Sequence, residues 1–202
     1  TRLNQDIFIS KKDKNGANHG DIVIAEVTKW PDKRRSPEGA IKEVLGKKGE
    51  KGLDILTIIK KHGLPEEFPA KVLAYAEGIP EEIDEKEIKR RKDIRNIRMV
   101  TIDGEDAKDL DDAVRVTKLE NGNYRLDVHI ADVSYYVREG SFLDKEAQIR
   151  GTSIYMLSRV IPMLPRELSN GICSLNAGED RFTLSCSMEI NPEGKTISTE
   201  VY

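Results

Sequence analysis

The chain has 202 residues, of which 34% are charged, and a formal net charge of −3. This length allows one or two domains with a proper core, and no apolar run approaches the roughly 20 residues of a membrane span. Two cysteines are too few for a disulfide framework or a four-cysteine zinc site. We therefore expect a cytoplasmic protein without membrane contact, and we expect a monomer.

The charge is divided unevenly along the chain. Residues 1–98 hold 22 Lys and Arg against 18 Asp and Glu, whereas residues 99–202 hold 11 against 18. A basic front part attracts phosphates, and an acidic rear part can hold cations. Any single basic cluster is more often a solvated face, so only the sum of these clusters favours a nucleic-acid partner.

Short strands separated by loops rich in Lys, Gly and Pro open the chain. The predicted strands are 7–9, 21–29 and 40–45. This pattern predicts that residues 1–62 form a partial barrel of the oligonucleotide-binding or cold-shock type, which binds RNA. Phe8 is as compatible with a core position as with stacking on a base, and Trp30 is expected to be exposed.

Residues 63–94 are predicted to form a helical connector. The first helix is indicated by apolar residues at helical spacing, Phe68, Val72, Leu73 and Ala76. Gly78 can end this helix, and Pro80 prevents its continuation. A second helix is predicted from Pro80 or Asp84 into the basic run 89–92. That run could contact phosphates or, as we favour, complement the C-terminal end of the helix dipole.

An acidic cluster follows, in the stretch T-I-D-G-E-D-A-K-D-L-D-D. It contains Asp103, Asp109, Asp111 and Asp112. Carboxylates this dense raise one another's pKa values unless they share a cation. Oxygen ligands without His or Cys suit Mg²⁺ or Mn²⁺ rather than zinc. To share an ion the chain must turn back, which Gly104 makes easy, and D-L-D-D is expected on a loop or at a strand entry.

Other interpretations of this cluster fit less well. Acidic runs are often only solvated, but apolar residues flank this one on both sides. An EF-hand loop starting at Asp109 fails because Ala113 and Val114 occupy the places of an oxygen ligand and a glycine. A D-x-D phosphatase motif fits poorly because no apolar strand leads into it. A metal site is therefore favoured.

Residues 95–202 are predicted to form an α+β unit. Two hairpins are indicated by E-N-G-N and N-P-E-G, with strands over 113–117, 124–130, 182–190 and 196–202. Ser141 in a capping box and Gly151 as a helix stop predict a helix over 142–150. Cys186 falls in an alternating apolar run and is predicted to be a buried strand thiol.

His129 and Asp132 lie close together in D-V-H-I-A-D-V. They could form a catalytic pair, but no Ser or Cys nucleophile motif accompanies them. His129 also alternates with the apolar residues Val128 and Ile130. A structural role is favoured.

The stretch T-I-D-G-E-D-A-K-D-L-D-D-A-V resembles the catalytic signature of the ribonuclease II and ribonuclease R (RNB) family of exoribonucleases. Three later blocks, R-G-T-S-I-Y, V-I-P-M-L-P-R-E-L-S-N and C-S-L-N, resemble that family's next blocks in order and spacing. The bacterial ribonuclease R branch is the one that the chain resembles most. The implied fold is mixed: a partial cold-shock-like barrel, then the N-terminal portion of a catalytic α+β domain.

The resemblance also implies an activity, namely processive 3′-to-5′ hydrolysis of single-stranded RNA to nucleoside 5′-monophosphates. Asp103, Asp109, Asp111 and Asp112 match the family's catalytic, metal-binding carboxylates, with Asp103 and Asp112 as the more direct ligands and Asp111 as the most activity-critical. Tyr155 matches a tyrosine that contacts the terminal nucleotides of the RNA. In such chemistry two cations about 3.5–4 Å apart activate water and stabilise the leaving oxygen. No small-molecule cofactor is expected.

The chain begins at Thr1 and stops at Tyr202 inside an alternating segment, so we expect a piece of a larger protein. The family completes its active site with later residues, so this chain alone is expected to be inactive or nearly so. Two other classes stay open: a non-catalytic RNA-binding module whose acidic cluster is a relic, and a metal-regulated interaction domain.

Overall fold

The computed structural model describes residues 3, 5–32, 35–80 and 82–202, which divide into two compact units. The first unit holds the described residues up to Glu66 together with Met156–Ser158. The second unit holds Glu67–Tyr155 and Arg159–Tyr202, apart from the one position not described. Across the described ranges, every helix is too short or too polar to cross a membrane.

The first unit is built on an open sheet. Its strands are β1 (Phe8–Ile9), β2 (Asp21–Lys29) and β3 (Glu38–Lys47). They lie in the order β1-β3-β2, with β1 parallel and β2 antiparallel to β3. The third strand is longer than predicted because pairing with β2 extends from Glu38 to Lys47.

Two aromatic side chains of this unit are open to solvent. Phe8 and Trp30 are each 62% exposed. The predicted exposure of Trp30 is therefore confirmed, and Phe8 is not a core residue. Both rings are available for stacking.

A helix that was not predicted follows this sheet. Helix α1 (Leu53–His62) buries Leu53 and Ile59 and ends at Gly63, whose φ is 62°. The Gly63 amide donates to the Lys60 carbonyl at 3.2 Å, and the next amide donates to the Ile59 carbonyl at 3.0 Å, as in a Schellman cap. The helix escaped prediction because its β-branched residues, Ile55, Thr57, Ile58 and Ile59, are typical of strands.

The second unit contains the helices α2 (Ala70–Glu77), α3 (Glu85–Ile88), α4 (Val133–Tyr136) and α5 (Phe142–Arg150). The predicted end of α2 at Gly78 is confirmed. Helix α3 is shorter than predicted: it starts after Asp84, whose carboxylate caps the Lys86 amide at 2.8 Å, and it stops before the basic run 89–92. The capping role of Ser141 in α5 is confirmed, since Ser141 Oγ accepts from the Asp144 amide at 3.1 Å, while the Asp144 carboxylate accepts from the Gly140 amide at 2.8 Å.

These helices pack around one apolar core with the segment Glu167–Ile172, a π-helical turn that is interrupted at Gly171. The core residues are Val72, Ala76, Tyr136, Leu143, Leu164, Leu168, Ile172, Cys173 and Phe182. Their burial removes apolar surface from water, which is the main stabilising contribution to such a fold.

An antiparallel sheet forms the rest of the second unit. Its strands are β4 (Asp112–Lys118), β5 (Tyr124–Ala131), β8 (Thr183–Ile190) and β9 (Thr196–Val201), in the order β4-β5-β8-β9. Both predicted hairpins are confirmed. A separate small hairpin pairs β6 (Ile154–Tyr155) with β7 (Val160–Ile161).

The four-stranded sheet buries its polar face more deeply than its apolar face. On the apolar face, Val116 and Leu184 are 64% and 58% exposed, whereas His129 and Ser185 on the polar face are 1% and 2% exposed. The prediction that Cys186 is buried is wrong, since it lies half-buried on the apolar face. Alternation along a strand tells which residues share a face, but not which face is covered.

Candidate functional site

The acidic cluster lies where the chain reverses direction before β4. Val100 and Val114 exchange backbone hydrogen bonds of 3.0 and 2.8 Å, so the intervening residues form a closed excursion. A turn closes at its tip, where the Ala107 amide donates to the Gly104 carbonyl at 3.0 Å. The predicted turn at Gly104 is confirmed. Asp103 lies on the outgoing arm, and Asp112 is the first residue of β4.

The returning arm, residues 108–111, is held from two sides. Ser174 Oγ accepts from the Leu110 amide and donates to the Lys108 carbonyl, each at 3.0 Å. The Leu175 amide donates to the Leu110 carbonyl at 2.8 Å. On the other side, the Ala131 amide donates to the Asp111 carbonyl at 2.9 Å. The carboxylates of this arm therefore project from a fixed backbone.

The carboxylate of Asp111 is electrostatically uncompensated. Although the residue lies at the surface, its pKa is raised, first by desolvation and then by the negative charges of Asp109, Asp112 and Asp103. Each of these causes raises the pKa, and none of them comes from a cationic group. The charges of the other three predicted site residues therefore act on Asp111, and a carboxylate in this position favours a shared cation.

Tyr155 is brought to the same place by the β6–β7 hairpin. Its hydroxyl donates a short hydrogen bond to the Asp109 carboxylate, and its ring is 65% exposed. This hydrogen bond, followed by desolvation and the charges of Asp109 and Asp111, raises the pKa of Tyr155 to about 12. The sequence alone could not place the two residues together, since 46 positions separate them.

Arg150 anchors that hairpin, a role that the sequence did not reveal. Its guanidinium donates to the Pro162 carbonyl at 3.2 Å, just after β7, and to the Glu67 carbonyl at 2.7 Å. It also pairs with Glu146 at 2.8 Å and stacks over the Phe68 ring, 3.7 Å from the centroid. Arg150 thereby ties the end of the hairpin that carries Tyr155 to helix α5.

The donor set suits a hard divalent cation. The four carboxylates supply oxygen ligands only. Asp111 is desolvated and repelled by the other three, so a bound cation would stabilise its ionised form. In the described part of the chain, however, no three Asp, Glu, His or Cys side chains are already placed to hold a metal ion. The residues fit Mg²⁺ or Mn²⁺ in chemistry and in neighbourhood, and side-chain rotations would have to complete the ligand set.

His129 and Asp132 do not form a catalytic pair. His129 Nδ1 lies 2.8 Å from Ser185 Oγ inside the sheet, and burial lowers the pKa of its imidazole. Asp132 instead caps helix α4 by accepting from the Tyr135 amide, and it pairs with Arg91 at 2.6 Å. The structural roles favoured from the sequence are confirmed.

Arg91, in the basic run 89–92, makes contacts within the protein that the sequence did not reveal. Its guanidinium binds the carboxylates of Glu87 and Asp132 at 2.9 and 2.6 Å and lies 4.4 Å from the centroid of the Phe182 ring. It is therefore a structural junction between α3 and the sheet. The neighbouring Lys92 likewise lies over a ring, that of Tyr202, at 3.9 Å.

Comparison with known proteins identifies the class to which this fold and site belong. The RNB domain model matches residues 91–202, and a cold shock domain model matches residues 1–69. Since the first match covers more than half of the chain, the chain belongs to the RNB family. The predicted mixed fold, a cold-shock-type domain followed by an RNB domain, is thereby confirmed.

Individual relatives are ribonuclease R proteins. The chain is 49% identical to ribonuclease R of Thermotoga maritima, with 100% of this chain and 29% of that protein covered. It is 44% identical to ribonuclease R of Escherichia coli, with 100% and 25% covered. Mycoplasma genitalium RNase R in complex with double-stranded RNA superposes with a TM-score of 0.90 at 27% identity, over 98% of this chain and 35% of that one. The chain thus spans about a third or less of these relatives.

Proposed function

We propose that this chain carries the carboxylate site of a hydrolytic exoribonuclease that shortens single-stranded RNA processively from its 3′ end and releases nucleoside 5′-monophosphates. Family membership and relatives named ribonuclease R support this proposal. Solved relatives have been captured with double-stranded RNA and with ribose-methylated single-stranded RNA. We also propose that the protein acts in the cytoplasm as a monomer.

The single observation that carries the proposal is the state of Asp111. A carboxylate whose pKa is raised by desolvation and by three neighbouring carboxylates destabilises the metal-free fold when it is ionised. Such a group is better suited to binding a ligand than to stabilising the fold.

Asp103, Asp109, Asp111 and Asp112 would hold Mg²⁺, or Mn²⁺ in its place. When bound, the metal would supply activation of water and stabilisation of the charge that develops on the phosphate. Tyr155, whose exposed ring stands beside Asp109, would contact the terminal nucleotides. In the first unit the exposed rings of Phe8 and Trp30 are available for stacking on RNA bases.

The test uses the full-length product of the gene that encodes these residues. 5′-labelled single-stranded RNA with a free 3′-hydroxyl is incubated with Mg²⁺ and wild-type protein, Asp111→Asn or Asp106→Asn. Asp106 is the matched control because it is an exposed carboxylate of the same loop that stands outside the four. A ladder of shortened products is expected with wild type and Asp106→Asn, and intact RNA with Asp111→Asn or with a chelator.

Full activity of Asp111→Asn would refute the assigned site. RNA that is shifted in a gel but remains intact with the wild-type protein would favour a non-catalytic RNA-binding module. That second candidate draws on one observation, namely that no three ligands among the described residues already converge on a metal position.

A further inference from the structure

Ser174 holds the acidic arm at its centre. The side chain is 0% exposed, and its hydroxyl has two partners on that arm, the Leu110 amide and the Lys108 carbonyl, both at 3.0 Å. A hydroxyl offers one donor and two acceptor positions, so both hydrogen bonds can form at once. Asn176 Oδ1, at 3.3 Å, is a second and more distant acceptor for the same proton. The bonds span 64 and 66 positions of sequence, so they join two separate segments.

Ser174 is itself held by groups outside the arm. Its amide donates to the Gly171 carbonyl at 3.0 Å, and its carbonyl accepts from Arg181 Nε at 3.0 Å. Its neighbour Cys173 belongs to the apolar core of the second unit. The hydroxyl is therefore presented to the arm from the rigid part of the unit rather than carried along by the arm.

We infer that Ser174 is a positioning residue for the carboxylates, which sets the directions of Asp109 and Asp111 by fixing the backbone of Leu110 between them. The inference rests on the proposed function of those carboxylates. Of the two contacts from this segment to Leu110, one comes from the Ser174 side chain and the other from the Leu175 amide. Loss of the hydroxyl leaves the second contact intact, so the arm should stay attached while the Leu110 amide loses its partner.

Groups that orient metal-binding side chains without touching the metal typically contribute 10–100-fold to metal affinity or activity. An effect of this size is expected from Ser174→Ala. A merely structural serine would show its effect in stability alone, so a comparison with another buried serine separates the two roles.

Ser185 provides that comparison. It is 2% exposed and lies in the same unit, and its hydroxyl bonds His129 Nδ1 at 2.8 Å and Thr183 Oγ1 at 3.0 Å instead of the arm. Ser185→Ala removes the same atom from an equally buried site. It should affect stability as much as Ser174→Ala, and it should leave the carboxylates in place.

Three measurements test the inference. Hydrogen exchange of the Leu110 amide in the metal-free 202-residue chain should accelerate about tenfold or more in Ser174→Ala and stay unchanged in Ser185→Ala. Mn²⁺ affinity of the same chain, followed by the electron paramagnetic resonance signal of the free ion, should fall by about 10–100-fold in Ser174→Ala only. In the full-length protein, kcat for RNA hydrolysis should fall by about the same factor with KM little changed.

The inference is overturned if Ser174→Ala matches Ser185→Ala in kcat and in Leu110 exchange. If the wild-type 202-residue chain binds no Mn²⁺, those two readouts decide the matter. Failure of the proposed function gives a different pattern: either Asp111→Asn keeps full activity, or the wild-type protein itself leaves the RNA intact. Rapid Leu110 exchange in Ser174→Ala with unchanged kcat would also reject the positioning role, while leaving the hydrogen bonds themselves established.

Discussion

Asp111 and Asp132 lie in the same unit and have opposite surroundings. Asp132 accepts hydrogen bonds from Arg91, from the Ser134 hydroxyl and from the Tyr135 amide, and these partners lower its pKa against the opposing effect of burial. Asp111 is desolvated beside three further carboxylates, and its pKa is raised. A carboxylate matched by cationic and amide donors stabilises the fold, whereas one beside like charges is the kind of group that we propose for cation binding.

The charges of the two carboxylates affect the stability of the fold in opposite directions. Ionised Asp132 interacts more favourably in the folded chain than in the unfolded chain, so its charge stabilises the fold. Ionised Asp111 interacts less favourably in the metal-free fold, so its charge destabilises it. The same side-chain chemistry thus contributes to stability in one place and opposes it in the other.

The largest expected effect is the loss of turnover in Asp111→Asn. Outer partners of metal ligands already contribute 10–100-fold, so removal of a ligand charge should lower kcat of the full-length protein by at least about 100-fold. The same change relieves repulsion, so the metal-free 202-residue chain should melt at an equal or higher temperature than wild type. Steady-state kinetics and calorimetry check the two halves. A marked loss of stability in Asp111→Asn would contradict the assignment of Asp111 as uncompensated.

Removal of the cationic partner of Asp132 should destabilise the fold, in contrast to Asp111→Asn. Arg91→Ala leaves the carboxylates of Asp132 and Glu87 without their guanidinium partner, and we expect a loss of about 2–3 kcal/mol in the free energy of unfolding. Arg90→Ala is the control, because Arg90 is 78% exposed and its pair with Glu87 should contribute at most about 0.5 kcal/mol. Urea unfolding of the 202-residue chain measures both. Equal effects of the two variants would mean that the junction is not structural.

The pH dependence of stability should separate the two carboxylates. The contribution of Asp132, whose folded pKa is lowered, is present above its unfolded pKa of about 3.9 and is lost as the pH falls through the folded value. For Asp111, whose folded pKa is raised, the contribution of the protonated carboxyl to stability is fully present below about pH 3.9. That contribution is lost as the pH rises through the folded pKa. The free energy of unfolding, measured in chelator between about pH 2 and pH 7, should therefore distinguish the two variants. Asp132→Asn should remove an increase of stability with pH, and Asp111→Asn should remove a decrease.

The smallest expected effect concerns Tyr155. The hydrogen bond from Tyr155 to Asp109 is exposed, so its loss in Tyr155→Phe should cost about 1 kcal/mol. This energy corresponds to roughly a fivefold loss in kcat/KM. The wild-type minus variant ultraviolet difference spectrum of the 202-residue chain should show a tyrosine that titrates at about pH 12. A difference spectrum that titrates near pH 10, the ordinary value, would mean that the hydrogen bond is absent in solution.

Local chemistry made part of this structure predictable. The hairpins followed from their turn residues, the helix over 142–150 from its capping serine and its terminal glycine, and the acidic turn from charge density beside Gly104. Arg91 and Ser174 could not be assigned, because their partners lie 41 and 64 positions away. The burial of Ser185 rather than Leu184 depends on which neighbours cover each face of the sheet, and alternation within one strand carries no information on that.

Trp30, the single tryptophan of the chain, makes the first unit separately visible to fluorescence. With excitation at wavelengths longer than those that tyrosine absorbs, the emission of the chain comes from this one residue, which is 62% exposed. Quenching by added RNA would then report contact at the cold-shock-type unit alone, while metal titrations at the carboxylates of the second unit should leave the signal unchanged. Contact of RNA with the first unit can therefore be followed without any label.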